Sequence, residues 1–100
     1  MVIRKDIIRR HSLNLLKGKG LGYKEQIYFP LRYRDKIIGK CFFDFIVNDS
    51  IVVELKKGNN FSKKNIDQVL EYLKTSDLKL AILINFGSSV SFKRIINFGN

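Results

Sequence analysis

The sequence predicts an α/β fold, a mixed sheet flanked by helices, on three observations. Runs rich in Val, Ile, Phe and Tyr at 24–33, 37–47, 51–56, 78–85 and 91–97 read as strands. Between the third and fourth runs, residues 62–75 carry apolar side chains at helical spacing. A helix between two neighbouring strands makes them parallel through a right-handed crossover, whereas short turns join the first three strands into an antiparallel meander.

Taken in order, residues 2–17 read as a helix, with apolar positions 3, 7, 8, 13, 15 and 16 on one stripe and Arg4, Lys5, Arg9, Arg10 and Lys17 on the remainder. The glycine-rich stretch Lys17-Gly18-Lys19-Gly20-Leu21-Gly22 then stops the helix; a connector and a backbone anion site are its two readings, the connector being favoured. Pro30 places the first strand at a sheet edge or in a bulge. Arg34-Asp35-Lys36 turns into the second strand, and Val47-Asn48-Asp49-Ser50 turns into the third. Past the polar connector 57–60, Ser62 or Asn60 caps the second helix, whose Ile66, Val69, Leu70 and Leu73 should pack on the sheet. Leu78–Asn85 is a nearly continuous apolar run, the pattern of a strand buried on both faces.

One hundred residues make one domain, 1–100, with room for a modest core. The lone Cys41 forms no internal disulfide, no Cys/His cluster suggests structural zinc, and His11 reads as a surface residue, so a reducing cytoplasmic setting is expected. No secretory signal is expected. The apolar run Leu80–Ile84 is far short of the roughly 20 residues a membrane span needs. Nineteen Lys and Arg against nine Asp and Glu give a net charge of +10. Such a balance favours polyanions, nucleic acid first, with an anionic membrane surface or plain solubility as the other readings.

The chemistry concentrates in the hairpin 41–56. Folding it brings Asp44 beside Glu54, and strand alternation puts Glu54 and Lys56 on one face with Leu55 on the other. Charges amid Val, Ile and Phe need partners. Two readings stand: a hard divalent cation held by two carboxylates, or a cross-strand salt bridge from Lys56. Lys63 and Lys64 open the second helix, where the dipole disfavours cations; they either share an anionic ligand there or are simply exposed.

The order helix, three-strand meander, helix, strand carries Asp44 on strand two, Glu54-Leu55-Lys56 on strand three and Gln68-Val-Leu-Glu-Tyr72 on the next helix. This resembles the PD-(D/E)XK nuclease superfamily, and the resemblance implies its restriction-endonuclease-like αβββαβ core. More narrowly, Ile51-Val-Val-Glu-Leu-Lys56, Gln68–Lys74 and Leu78–Ser88 resemble the small GxxExxY proteins of that superfamily. The likeness is strong over 37–97 and fades before residue 23. The Gly-x-x-Glu-x-x-Tyr motif itself is absent, and the first helix offers only Asp6 where the family has a helical Glu.

The resemblance implies Mg²⁺-dependent hydrolysis of nucleic acid, DNA favoured, with Mn²⁺ as a substitute ion. Asp44, Glu54 and the Leu55 carbonyl would hold the metal. Lys56 would position the nucleophile or neutralise charge on phosphorus, and Gln68 and Tyr72 would orient Lys56 or the substrate backbone. Lys57, Lys63, Lys64, Lys93 and Arg94 are the expected sequence-independent phosphate contacts. A homodimer could span a duplex. The missing helical Glu leaves two rivals: a weakened or inactive nuclease fold that binds nucleic acid as an accessory module, and a purely structural basic protein.

Overall fold

A helix, three strands, a second helix and two more strands follow one another in the computed structural model, which describes residues 4–58 and 60–98. They are α1 (Lys5–Gly18), β1 (Tyr23–Tyr33), β2 (Lys36–Val47), β3 (Ile51–Lys57), α2 (Lys63–Ser76), β4 (Leu80–Phe86) and β5 (Val90–Ile96). Val2 and Ile3, at the expected start of the first helix, and Asn59, in the connector, lie outside the described residues. The strands form one mixed sheet in the order β1-β2-β3-β4-β5, antiparallel throughout except for the parallel pair β3–β4. Among the described residues no helix is long and apolar enough to cross a membrane.

The turns follow from local chemistry. Asn48 and Asp49 take φ of 50° and 55°, a left-handed conformation that short polar side chains tolerate, and Ser50 N–H closes the turn on Val47 O at 3.0 Å. Asn48 also clasps the connector between α1 and β1: its N–H donates to Gly22 O at 2.8 Å, and its Oδ1 accepts from Gly22 N–H at 3.0 Å. Of the two caps offered by the sequence, Ser62 starts α2, accepting from Asn65 N–H at 3.1 Å. The glycine-rich stretch is a helix stop: the N–H groups of Lys19, Gly20 and Leu21 are bonded back to carbonyls of α1, which leaves none of these three for an anion.

Two apolar layers hold the sheet. Val69, Tyr72 and Leu73 of α2 pack with Phe29, Phe43, Val52, Ala81, Leu83 and Ile95. Ile8, Leu13 and Leu16 of α1 pack with Phe45, Val47, Val53 and Leu55. Consecutive strand residues alternate, so Val52 in the first layer and Val53 in the second place α2 and α1 on opposite faces. The expectation that the fourth strand is buried on both faces is corrected: Ala81, Leu83 and Asn85 are buried beneath α2, but Leu80, Ile82 and Ile84 are only half-buried. The reason is that α1 packs chiefly over β3 and takes only the end of β4, at Ile84 and Phe86, into its layer.

Candidate active site

The site forms where β2 and β3 part. Their ladder runs from Val47↔Ile51 to Phe45↔Val53 and stops, so Asp44 and Glu54 sit in the mouth that opens beyond it. Side chains replace the missing backbone bonds there. Asp44 N–H donates to Glu54 Oε1 at 3.1 Å, and Leu55 N–H donates to Asp44 Oδ2 at 2.8 Å. On its other side, β2 also changes face at this point. Phe43 belongs to the α2 layer and Phe45 to the α1 layer, although a regular strand would put both on one side. Opposite the break stands Gln26, at φ 50° and unpaired with β2 although its neighbours on either side keep register. Local irregularities of this kind re-aim a side chain, here the Asp44 carboxylate.

Asp44 is 2% exposed and fully partnered. Arg9 of α1 donates twice to its Oδ1, from Nε at 3.1 Å and from an Nη at 2.7 Å, and Lys5 Nζ stands 3.1 Å from Oδ2. With its amide turned to satisfy both groups, the Gln26 oxygen accepts from Arg9 at 2.9 Å and 3.3 Å. Lys5 and Arg9 are one helical turn apart, on the face of α1 that Leu13 and Leu16 continue as apolar contacts.

Burial works against the charged form of Asp44, yet hydrogen bonds from Glu54, the Leu55 N–H and Arg9, together with the charge of Lys5, hold its pKa below the ordinary value. For Glu54 burial is again the largest cause, and the hydrogen bond and negative charge of Asp44 act in the same direction, pushing it up to about 8. At neutral pH the pair therefore carries one proton and one negative charge between its two carboxyl groups.

The other expected residues are placed as follows. Leu55 buries its side chain in the α1 layer while its backbone lies against Asp44. Lys56 is exposed and alternates to the same face as Glu54. Gln68 is half-buried on α2, one turn before Tyr72. Tyr72 is buried as a core ring, 4.8 Å from the Phe43 ring and 5.1 Å from that of Phe29. Asp6, the acid the first helix offers where the resemblance leads one to expect a Glu, turns to solvent and pairs with Arg4 at 2.7 Å, and among the described residues no third His, Cys, Asp or Glu joins the two carboxylates. Lys57, Lys63, Lys64, Lys93 and Arg94 are all exposed, but they do not share one surface. Lys93 lies on the α2 side with Ile95, and Arg94 alternates to the opposite face.

A family model describing the PD-(D/E)XK nuclease superfamily matches residues 11–97, a span that contains Asp44, Glu54, Lys56, Gln68 and Tyr72. The chain belongs to the PD-(D/E)XK nuclease superfamily. Solved structures agree on the fold. The crystal structure of SSO0001 superposes with a TM-score of 0.66 at 19% identity, over 95% of this chain and 50% of that one. An alkaline exonuclease, LHK-Exo from Laribacter hongkongensis, superposes with a TM-score of 0.59 at 13% identity, over 97% of this chain and 61% of that one. The chain thus spans about half of the first protein and three fifths of the second. No curated protein matches by sequence.

The inner face of α1 is what the sequence reading missed. The sequence stripe assigns Lys5 and Arg9 to the solvent side, whereas the structure turns both onto Asp44. Their i, i+4 spacing, in line with Leu13 and Leu16, is the signal that could have found them.

Proposed function

We propose that the protein is a metal-dependent nuclease that hydrolyses phosphodiester bonds of nucleic acid, DNA foremost. The observation that carries this reading is the convergence of Asp44 and Glu54 in the mouth between β2 and β3, with Lys56 following Glu54 on the same strand face. A chain of this superfamily with a net charge of +10 suits a polyanionic substrate.

The donor set fits a hard divalent ion, Mg²⁺ or Mn²⁺. Two carboxyl groups meet, both largely withdrawn from water, and the paired negative charge they would carry is what a cation would neutralise. Asp44 and Glu54 would hold that ion, with the Leu55 carbonyl as a third oxygen. Bound there, it supplies a water of lowered pKa and a counter-charge for the phosphate. Lys56 orients the attacking water or neutralises charge as it gathers on phosphorus, which suits a compact, exposed ammonium. Gln68 orients Lys56 or the substrate backbone from α2. Tyr72 acts through packing: its ring holds Phe43, and Phe43 fixes the strand position of Asp44. Arg9 and Lys5 supply the positive charge beside Asp44 and would have to give it up for Asp44 to hold an ion. Lys63, Lys64 and Lys93 contact backbone phosphates on the α2 side of the sheet, Lys57 and Arg94 do so from the opposite face, and a cytoplasmic setting accords with the free thiol of Cys41.

One observation favours a second reading. Arg9 and Lys5 already satisfy Asp44, and if they remain as permanent counter-charges the fold becomes a nucleic-acid-binding accessory module. Cleavage of labelled DNA and RNA with Mg²⁺ or Mn²⁺ separates the two. The nuclease reading expects cutting by wild type and none by Asp44→Ala or Lys56→Ala. Identical traces from all three with retained, salt-sensitive binding would replace it with the accessory module.

A further inference from the structure

The row of the sheet that contains Lys56 continues in polar residues. On β4 its neighbour is Asn85, and on β5 the neighbour of Asn85 is Ser91. Four positions back along β3, the matching row is Val52, Ala81 and Ile95, which is solid core. Asn85 is 5% exposed, and among the described residues its Nδ2 has no hydrogen-bond partner. Buried amide donors left without an acceptor are rare, because their water is lost and not replaced.

Asn85 borders a hollow of about 230 Å³ that Asn60, Phe61, Ile66, Ser91 and Lys93 also line. The hollow lies at the carboxyl ends of the parallel strands β3 and β4 and beside the first turn of α2, the side on which open α/β sheets take ligands. That turn carries Lys63 and Lys64 and no acid, and among the described residues no carboxylate borders the hollow. An amide nitrogen can only donate, so its absent partner is an acceptor; the lysines and the helix N-terminus make that acceptor an anion.

We propose that this hollow is a phosphate subsite, holding a backbone phosphate of the bound strand that neighbours the one at Glu54 and Lys56. Asn85 is its buried donor, and Ser91 and Lys93 contact the same group from the rim. The inference rests on the nucleic-acid reading of the Asp44–Glu54 site. The buried amide distinguishes it from a merely basic surface, because a neutral donor gains nothing from long-range charge and everything from a seated oxygen.

Two measurements test it. The first follows the side-chain NH₂ resonances of Asn85 in the ¹⁵N-labelled, metal-free protein as inorganic phosphate is added; they are assigned by their loss in Asn85→Leu. The second measures affinity for a single-stranded oligonucleotide carrying one neutral methylphosphonate at each position in turn, without divalent ions so that nothing is cut. Wild type should show moving Asn85 resonances and roughly a tenfold loss of affinity at one methylphosphonate position. Asn85→Leu, which removes an unpartnered polar group and should fold at least as stably, and the isosteric Asn85→Asp should bind the unmodified strand roughly tenfold more weakly and lose sensitivity at that position. Still resonances, with variants that reproduce the wild-type profile, would overturn the subsite even if the protein cuts nucleic acid. Moving resonances and the expected profile in a protein that cuts nothing with Mn²⁺ would support the subsite while removing hydrolysis. A wild type that binds neither phosphate nor nucleic acid would overturn both.

Discussion

Raising the pH from about 5 to about 8.5 in the absence of metal strips the proton that Glu54 shares with Asp44, and the fold should lose stability as it goes. The folded value of about 8 lies above the 4.5 of the free side chain, so the neutral acid is the form that folding favours. Its contribution is complete below pH 4.5 and is lost as pH climbs through about 8. At about 1.4 kcal/mol per unit the gap would be worth somewhat under 5 kcal/mol. The proton belongs to the pair, so the loss is on the order of a few kcal/mol whichever carboxyl holds it. In a domain of this size that corresponds to a fall of roughly 10–20 °C in Tm, followed by thermal denaturation across the pH series. The window is distinct from that of Asp44, whose depressed value moves stability only at acid pH, below its ordinary 3.8. Glu54→Gln keeps the neutral shape and should flatten the curve. Excess Mn²⁺, taking the place of the proton, should restore Tm at the alkaline end far more than at pH 5. A wild-type Tm flat between pH 5 and 8.5, or an equal fall in Glu54→Gln, would refute the shared-proton pair.

Arg9→Gln removes two hydrogen bonds from a buried carboxylate that keeps Lys5 and the Leu55 N–H, so denaturant unfolding should show a loss of about 1–3 kcal/mol. The same substitution frees Asp44 for a cation, and calorimetry should find Mn²⁺ bound roughly tenfold more tightly; weaker binding would mean that Arg9 supports the metal site instead of competing with it. Tyr72→Ala takes a ring out of contact with Phe29 and Phe43 and should cost roughly 3–5 kcal/mol by denaturant unfolding. Tyr72→Phe keeps the ring and should leave both stability and cleavage nearly unchanged, whereas a loss of cleavage at full stability would assign a role to the hydroxyl.

Several parts of this arrangement are legible in the residues. β-branched and aromatic runs on either side of Asn48-Asp49 can hardly be read as anything but a hairpin, and period-two alternation then places Glu54 and Lys56 together. Ser62, three residues before Asn65, marks the start of α2, and that helix forces β3 and β4 to run parallel. What hydropathy could not show is the inner face of α1. A stripe drawn through apolar residues treats charged positions as outward, but Ile7 and Leu15 are the exposed ones, while Lys5 and Arg9 face a buried carboxylate that lies far along the chain. The change of face at Asp44 was hidden for a similar reason. Gln26 at φ 50° carries none of the usual turn signals, because the irregularity is set by its neighbours' pairing with β2 and by Arg9 rather than by local propensity. Burial of the fourth strand was overestimated since a run of Leu and Ile says nothing about how far the opposite helix extends.

The claim on which the mechanism rests is that Asp44 and Glu54 take a divalent ion in place of their shared proton. A crystal grown with Mn²⁺, with diffraction recorded where manganese scatters anomalously, addresses it directly. The expected result is a peak about 2.1 Å from a carboxylate oxygen of each residue, with Arg9 and Lys5 withdrawn from Asp44. A structure with no such peak, in which Arg9 still donates both hydrogen bonds to Asp44 Oδ1, would contradict it.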